Sequence, residues 1–495
     1  MSVFHPGPPR PLGILRRWGV DALLVLIAIL VLPSKLQLDG RQPYDAVIYA
    51  TVASSLAAGE GPWEPLGNER LPPQQVPGLS FLLAPFFVLL GAGLGSGLWC
   101  ILTVAAILVV ALRRLGDRLG GPPAGLLAVL LLLLAPAFRR SASSIMSEVP
   151  AALAGLAALA GTQAVNRRTA GAAATGLAAA AAAWLRYQGV LLVPACVGAL
   201  ALRPGRRPAF AAFAAGFAVL SAPLLLLNLH LYGGPFETGY AYYGGNLGLF
   251  RMGHAFGSGS DGPGNLVRYL ADLVGASPHL FPVPVAALAV FGLATLAGRG
   301  HRGVAAFTLI WTAALVVSQS FYWWYEERYL VPTVPVLALA AGAGGNALLR
   351  RTGWRRAAAL ALLGLAVAQR WRELPDLFRV SWPRPHESTF LEAATCRMED
   401  DAVLVSSLPP FLAQVYFPLR GTCRELIPIV DLDLRIHPGK PDERRILLPG
   451  ADAGEGGWFL SRDVAGEAFI RLARSFHLEP VVVAGDAYLF RLRAP

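Results

Sequence analysis

Charge is what this 495-residue chain has little of: 15% of its residues are Asp, Glu, Lys or Arg, while 55% are hydrophobic. A soluble globular domain carries about a quarter charged residues. With a mean hydropathy of +0.52, the composition excludes that class and defines a polytopic membrane protein. Cysteine is also sparse, at four residues. Cys100 and Cys196 lie in apolar runs, Cys396 and Cys423 in the polar C-terminal region, and no zinc-ligand spacing links them. There is no HExxH, and the single Gly-Lys pair, Gly439-Lys440, runs into Pro441, which excludes a Walker-type phosphate loop. Internal repeats are not evident. The low-complexity stretch Ala172 to Ala183 is the small-residue composition normal at helix interfaces in membranes.

The charge that is present has a pattern. A formal net charge of +11 would suggest nucleic acid in a soluble protein, but here the arginines fall in short clusters between apolar runs, as the positive-inside rule requires. The leader Met1 to Arg17 is basic and Pro-rich with no small-residue cleavage site, so the apolar run Val20 to Leu32 reads as a retained first span. Arg10, Arg16 and Arg17 place the N-terminus in the cytoplasm and the loop of about 36–76 outside. Two apolar runs follow, Pro77 to Leu94 and Gly97 to Leu112. If both crossed, Arg113, Arg114, Arg118 and every later basic cluster would be inverted, so one of them, by its Pro and Gly boundaries the first, is expected to be re-entrant or interfacial. The remaining runs then alternate to give about eleven spans, a second outer loop at about 228–280, and two short segments around Arg186 that read as half-helices tilted into a cavity. Arg139 and Arg140 are the exception on the outer side, a position that phosphate binding would explain.

From about Arg372 charges return and apolar runs shorten. Strand patterns at Ala402 to Ser406, Arg445 to Pro449, Pro480 to Ala484 and Ala487 to Leu492 alternate with helical ones at Glu387 to Met398 and Glu467 to His477. The expectation is a membrane module over 1–371 and a small soluble α/β domain over 372–495, placed outside the membrane by span count. There Cys396 and Cys423 are either a disulfide in an oxidising compartment or two unpaired small core residues.

Ionisable residues at the edges of spans are costly and mark function. Four groups fall on the same outer face: Asp45 with Tyr49 one helical turn away, Glu148 at the start of a span, Arg186 with Gln188, and Glu326-Glu327-Arg328-Tyr329. Taken singly, Glu148 is explained by a helix dipole and Arg328 by pairing with Glu326 or Glu327. Taken together they suit a lipid-linked phosphate donor. Arginines stabilise charge on a leaving phosphate, and a carboxylate takes the proton from an attacking hydroxyl. Glu148 would then position the acceptor or tune Asp45 by like-charge repulsion. Asp45, Glu148 and Glu326 or Glu327 also have the oxygen chemistry for Mg²⁺ or Mn²⁺. Two rival classes are a transporter or lipid flippase, for which inverted repeats and midplane charges are missing, and a receptor or scaffold built on the C-terminal domain.

The ordered set Tyr44-Asp45-Ala-Val-Ile-Tyr49, Leu56-Ala-Ala-Gly59, Pro72-Pro73 to Pro77-Gly-Leu-Ser, Met146-Ser-Glu148, Arg186-Tyr-Gln-Gly189, Tyr232-Gly-Gly-Pro235 to Tyr240 and Glu327-Arg328-Tyr329-Leu330 resembles the GT-C membrane glycosyltransferases. The likeness is to the bacterial branch similar to protein O-mannosyltransferases and the lipid A aminoarabinose transferase, over about the first 350 residues. It implies an α-helical polytopic fold and transfer of a sugar, with inversion, from a polyprenyl phosphate to an extracytoplasmic hydroxyl of a glycan, lipid or protein. The expected location is the inner (plasma) membrane, without nucleic acid as a partner. The resemblance makes Asp45 the catalytic base, maps a second acidic position onto Glu148, and assigns donor phosphate to Arg186 and Arg328. Tyr49, Gln188, Tyr240, Glu327 and Tyr329 become candidate substrate contacts. Relatives with a single-carboxylate loop imply no metal cofactor. Some relatives carry a basic residue in the Pro-Pro segment, where this chain has Gln74-Gln75; Arg70 is the candidate replacement.

Overall fold

The computed structural model describes residues 11–32, 44–66, 69–164, 169–203, 206–242, 255–256, 263–275, 280–322, 325–370 and five strands between 403 and 493. The first part is helical. Helix α1 (Pro11–Val31) and the short α2 (Tyr44–Ala57) precede a small antiparallel hairpin, β1 (Glu64–Leu66) and β2 (Glu69–Leu71), with Pro65 opposite Arg70. Then come α3 (Gly78–Leu90), α4 (Leu94–Gly120), α5 (Ala124–Leu133), α6 (Pro136–Ala142), α7 (Glu148–Ala164) and α8 (Ala170–Leu185). A 3-10 turn, Tyr187–Leu191, leads into α9 (Leu192–Ala201), followed by α10 (Arg206–Tyr232), the single turn α11 (Gly239–Tyr242), α12 (Asn265–Val274), α13 (Val283–Gly298) and α14 (Arg302–Ser320). A second 3-10 turn, Glu327–Thr333, opens α15 (Val334–Leu349), and α16 (Trp354–Arg370) follows.

Among the described residues four helical stretches are long and apolar enough to cross a bilayer, Gly95–Gly120, Arg207–Tyr232, Arg302–Ser320 and Glu327–Leu349, with six shorter apolar helices beside them. The α5–α6 pair makes a fifth if its 76° bend lies within one span. The bend has a local cause: Ala135 precedes Pro136 and is forced into the extended region. At 27 residues α4 reaches about 40 Å, whereas α3 at 13 reaches about 20 Å, short of a hydrocarbon core of about 30 Å. The helices also overrun the apolar runs that signal them: α4 continues past Leu112 through Arg113, Arg114 and Arg118, and α10 extends beyond both ends of the Phe210 to Leu227 run.

Small residues let the helices approach closely. A methyl group at Gly176 of α8 would lie 2.1 Å from the Phe213 carbonyl of α10, and one at Gly216 of α10 would lie 2.2 Å from the Ala173 carbonyl of α8. Phe138, Phe307, Leu108, Leu112 and Leu132 fill the interior. Leu26, Leu30, Leu89, Val219, Leu226 and Val290 stand exposed on the periphery, the arrangement expected where lipid is the solvent.

One polar cluster ties the bundle at the far end of α4. Asp21 of α1 is buried and accepts from Arg113 Nη1 at 2.6 Å and from Arg114 Nε and Nη2 at 3.1 and 2.9 Å. Arg113 continues to Asp117 at 3.2 Å, and Asp117 accepts the Gly125 amide at 3.1 Å. The other end of α4 packs Gly97 against Ile145, three residues before Glu148. The sixteen residues from Gly97 to Arg113 separate the two ends by about 24 Å.

Beyond residue 402 a five-stranded mixed sheet runs in the order β4-β3-β5-β7-β6. Its strands are β3 (Val403–Ser406), β4 (Glu425–Pro428), β5 (Trp458–Ser461), β6 (His477–Ala484) and β7 (Ala487–Arg493). Strand β3 pairs in parallel with β4 and β5, while β5–β7 and β7–β6 are antiparallel. The strands foreseen at 402–406, 480–484 and 487–492 are present, and β4 and β5 are additions. His477, foreseen as a helix end, begins β6. Residues 371–402, with Cys396 and the domain boundary, lie outside the described residues, as do Cys423, the foreseen strand 445–449 and the helical patterns 387–398 and 467–476.

Candidate active site

Two breaks in helices build the basic half of the site, and they share one construction. At the end of α8, Arg186 leaves the helical region for extended backbone, and the 3-10 turn follows at once. Gly189 closes that turn, donating its amide to the Arg186 carbonyl at 2.7 Å. A methyl group there would lie 2.1 Å from the Ala182 backbone, so the close approach admits only glycine. After α14 the chain repeats the device: Glu326 is extended, the 3-10 turn carries Glu327, Arg328, Tyr329 and Pro332, and Pro335 sits in the first turn of α15, where a proline is tolerated. Both arginines thereby project from helix ends. The acidic half comes from helix starts, Asp45 in the first turn of α2 and Glu148 in the first turn of α7, where the helix dipole favours a carboxylate.

Arg328 is the hub. Its Nη2 donates to Asp45 Oδ2 at 3.3 Å, its Nε pairs with Glu326 and lies 4.0 Å from Glu148 Oε1, and its Nη1 reaches the Met146 thioether at 3.6 Å. A thioether is a weak acceptor, so this is the least strongly held of the Arg328 arms. Arg186 Nη1 donates to Glu148 Oε1 at 2.6 Å. The Arg186 and Arg328 guanidiniums both lie 5.5 Å from the centroid of the Tyr329 ring. Glu148 is completely buried, and its Oε2 has no hydrogen-bond partner in the structure. Glu327 pairs with Arg140 of α6, which accounts for one of the two arginines that break the charge rule. Arg139 is buried beside it.

Asp45 is held from its other side. Gln75 Nε2 donates to Asp45 Oδ1 at 3.0 Å, and the Tyr240 hydroxyl donates to Gln75 Oε1, so α11 is linked through Gln75 to α2. Burial raises the Asp45 carboxyl above the ordinary carboxylate range; Arg328 opposes this and Glu148 adds to it. Tyr240 is pushed well up, chiefly by burial and also by Asp45, so its hydroxyl stays protonated and donates. Tyr49 is buried on the same α2 face, its hydroxyl directed to Ser147 at 3.5 Å.

Asp45, Glu148, Arg186, Arg328, Tyr49, Tyr240 and Tyr329 thus converge, with Glu327 at the edge. Gln188 sits half-buried in the turn beside Arg186 and makes none of the cluster's hydrogen bonds. Arg70, the candidate replacement in the Pro-Pro segment, is exposed on β2 and pairs with Glu60 at 3.8 Å, while the neutral Gln75 reaches the acidic centre. Gln75 and Met146 are components that sequence reasoning assigned no role in the site, while Glu326, named as a partner for Arg328 or a metal ligand, is found on Arg328. Among the described residues no three His, Cys, Asp or Glu side chains group to hold a metal ion.

Solved structures share this architecture. ArnT from Cupriavidus metallidurans bound to undecaprenyl phosphate superposes with a TM-score of 0.65 at 16% identity, over 96% of this chain and 98% of that one. The Archaeoglobus fulgidus oligosaccharyltransferase tethered to an acceptor peptide containing the NVT sequon gives 0.58 at 11% identity, over 97% and 74%. Archaeal oligosaccharyltransferase AglB from Archaeoglobus fulgidus, in complex with an inhibitory peptide and a dolichol-phosphate, gives 0.53 at 12% identity, over 82% and 64%. No protein-family model and no curated protein sequence matches. The chain shares the fold of these solved membrane proteins, most extensively that of ArnT.

Proposed function

We propose that this protein is an integral-membrane glycosyltransferase that moves a sugar from a polyprenyl phosphate to an extracytoplasmic hydroxyl with inversion. The observation that carries the reading is the contact of Asp45 with Arg328 at 3.3 Å, a base beside a guanidinium that shares its surroundings with Arg186. Asp45, its Oδ1 fixed by Gln75, takes the proton of the acceptor hydroxyl. The acceptor oxygen forms a bond to the anomeric carbon as the bond from that carbon to the phosphate oxygen breaks. The electron pair leaves on the lipid phosphate, where Arg328 and Arg186 stabilise it. That leaving group is a weak base, so a single carboxylate base suffices. Glu148 holds Arg186 in place, and its charge keeps Asp45 basic.

Each carboxylate of the site already faces a guanidinium: Asp45 and Glu326 face Arg328, Glu148 faces Arg186, and Glu327 faces Arg140. Those cations occupy the role a divalent ion would take, and the reaction proceeds without metal. The location is the plasma membrane, with the N-terminus in the cytoplasm and the C-terminal domain outside. The acceptor is a glycan, a lipid or a protein. The test is incubation of the purified protein with a panel of polyprenyl-phosphate sugars: one is consumed by the wild type and spared by Asp45→Asn. Consumption of none, or equal consumption by the variant, overturns the reading.

A further inference from the structure

Helix α12 turns its polar side inward. Asn265, Tyr269 and Asp272, at i, i+4 and i+7, are buried, while Val267, Leu270 and Val274 are exposed. The three inward residues grip the segment that leads into Arg328. Asn265 Nδ2 donates to the Tyr322 carbonyl at 2.7 Å. The Tyr269 hydroxyl lies 3.4 Å from both the carbonyl and the amide of Glu326, accepting from the amide and placed to donate to the carbonyl. The Tyr325 hydroxyl donates to Asp272 Oδ2 at 2.6 Å, its ring 4.9 Å from that of Tyr269 and 5.5 Å from the Arg268 guanidinium. Glu326 is the extended residue from which the Arg328 turn departs, so fixing its two backbone groups fixes the origin of the arginine.

We infer that Asp272, acting through Tyr325 and beside Tyr269, is a positioning residue that sets Arg328 for an incoming lipid phosphate. The buried Asp272 carboxylate accepts from the Tyr325 phenol and so anchors the residue three positions before the arginine. The neighbouring Glu327 is fixed separately by Arg140, so the turn is held on both sides of its extended start. This inference rests on the assignment of Arg328 to the donor phosphate.

The experiment is binding of undecaprenyl phosphate to the detergent-solubilised full chain. Tyr325→Phe keeps the ring contact and removes the hydroxyl; it should weaken binding about 10-fold. Asp272→Asn keeps an acceptor oxygen for the phenol and should weaken it less than about 3-fold. In an Arg328→Ala background the Tyr325→Phe effect should vanish, since residues that act through one another are not additive. Wild-type affinity in Tyr325→Phe, or an equal loss in both backgrounds, overturns the positioning role and leaves the donor assignment standing. A wild-type protein that does not bind undecaprenyl phosphate overturns the donor assignment and the positioning role together.

Discussion

The two ends of α4 each carry arginines paired with carboxylates, and they are built to opposite standards. At the Asp21 end every carboxylate is occupied: Asp21 accepts from Arg113 and twice from Arg114, and Asp117 accepts from Arg113 and from a backbone amide. The cluster braces α1 against α4. At the Asp45 end Arg328 is spread over Asp45 at 3.3 Å, Glu148 at 4.0 Å, Glu326 and a thioether, and a buried oxygen of Glu148 is left without a partner. Unsatisfied buried oxygen is costly. Ion pairs alone therefore do not distinguish the two ends of α4; their completeness does.

The contrast can be broken by substitution. The largest effect expected is that of Asp45→Asn, which should cut transfer by about 10³-fold or more while expression and thermal unfolding stay those of the wild type. Arg328→Gln should lower kcat/KM by about 10²–10³-fold and should also move its pH dependence. Arg328 favours the ionised Asp45, so its loss raises the carboxyl further, and the acid limb of kcat/KM shifts to higher pH. A limb that stays put would show that Asp45 does not feel Arg328. Asp21→Asn should leave kcat/KM within about 2-fold and lower the detergent melting temperature. Its cost should fall below the about 3–5 kcal/mol of a fully buried pair, because Arg114 is half exposed and Arg113 keeps Asp117. The smallest effect is that of EDTA, which under the proposed metal-free reaction should change the rate less than about 2-fold.

The parts legible in the sequence were those that membranes make expensive. Asp45, Glu148, Arg186 and Arg328 stood out because charge at the edge of an apolar run needs a reason, and the fold brings all four together. Gln75 was illegible for the converse reason: a neutral amide in a Pro-rich loop costs little anywhere, and it marked a departure from relatives with no role attached. Arg70 drew notice by its charge and sits away from the centre. Helix α12 was hidden in the segment read as the second outer loop, about 228–280, because its short polar face is spent on the backbone and a tyrosine hydroxyl of a segment more than 50 positions away. Asp21 escaped notice since its partners lie more than 90 positions away. Span boundaries drifted for a simpler reason: apolar runs stop at the first charge, whereas helices such as α4 continue through it.

The shared Tyr329 ring bears on turnover. Two guanidiniums brought close repel each other, and a pocket that relied on a bound anion to hold them apart would close around its product or spring open when the product departs. Here the carboxylates offset the charge of both cations and the ring faces both guanidiniums. Under the proposed reaction the spent carrier leaves behind the same arrangement that received it. Each cycle then begins from a ready receptor.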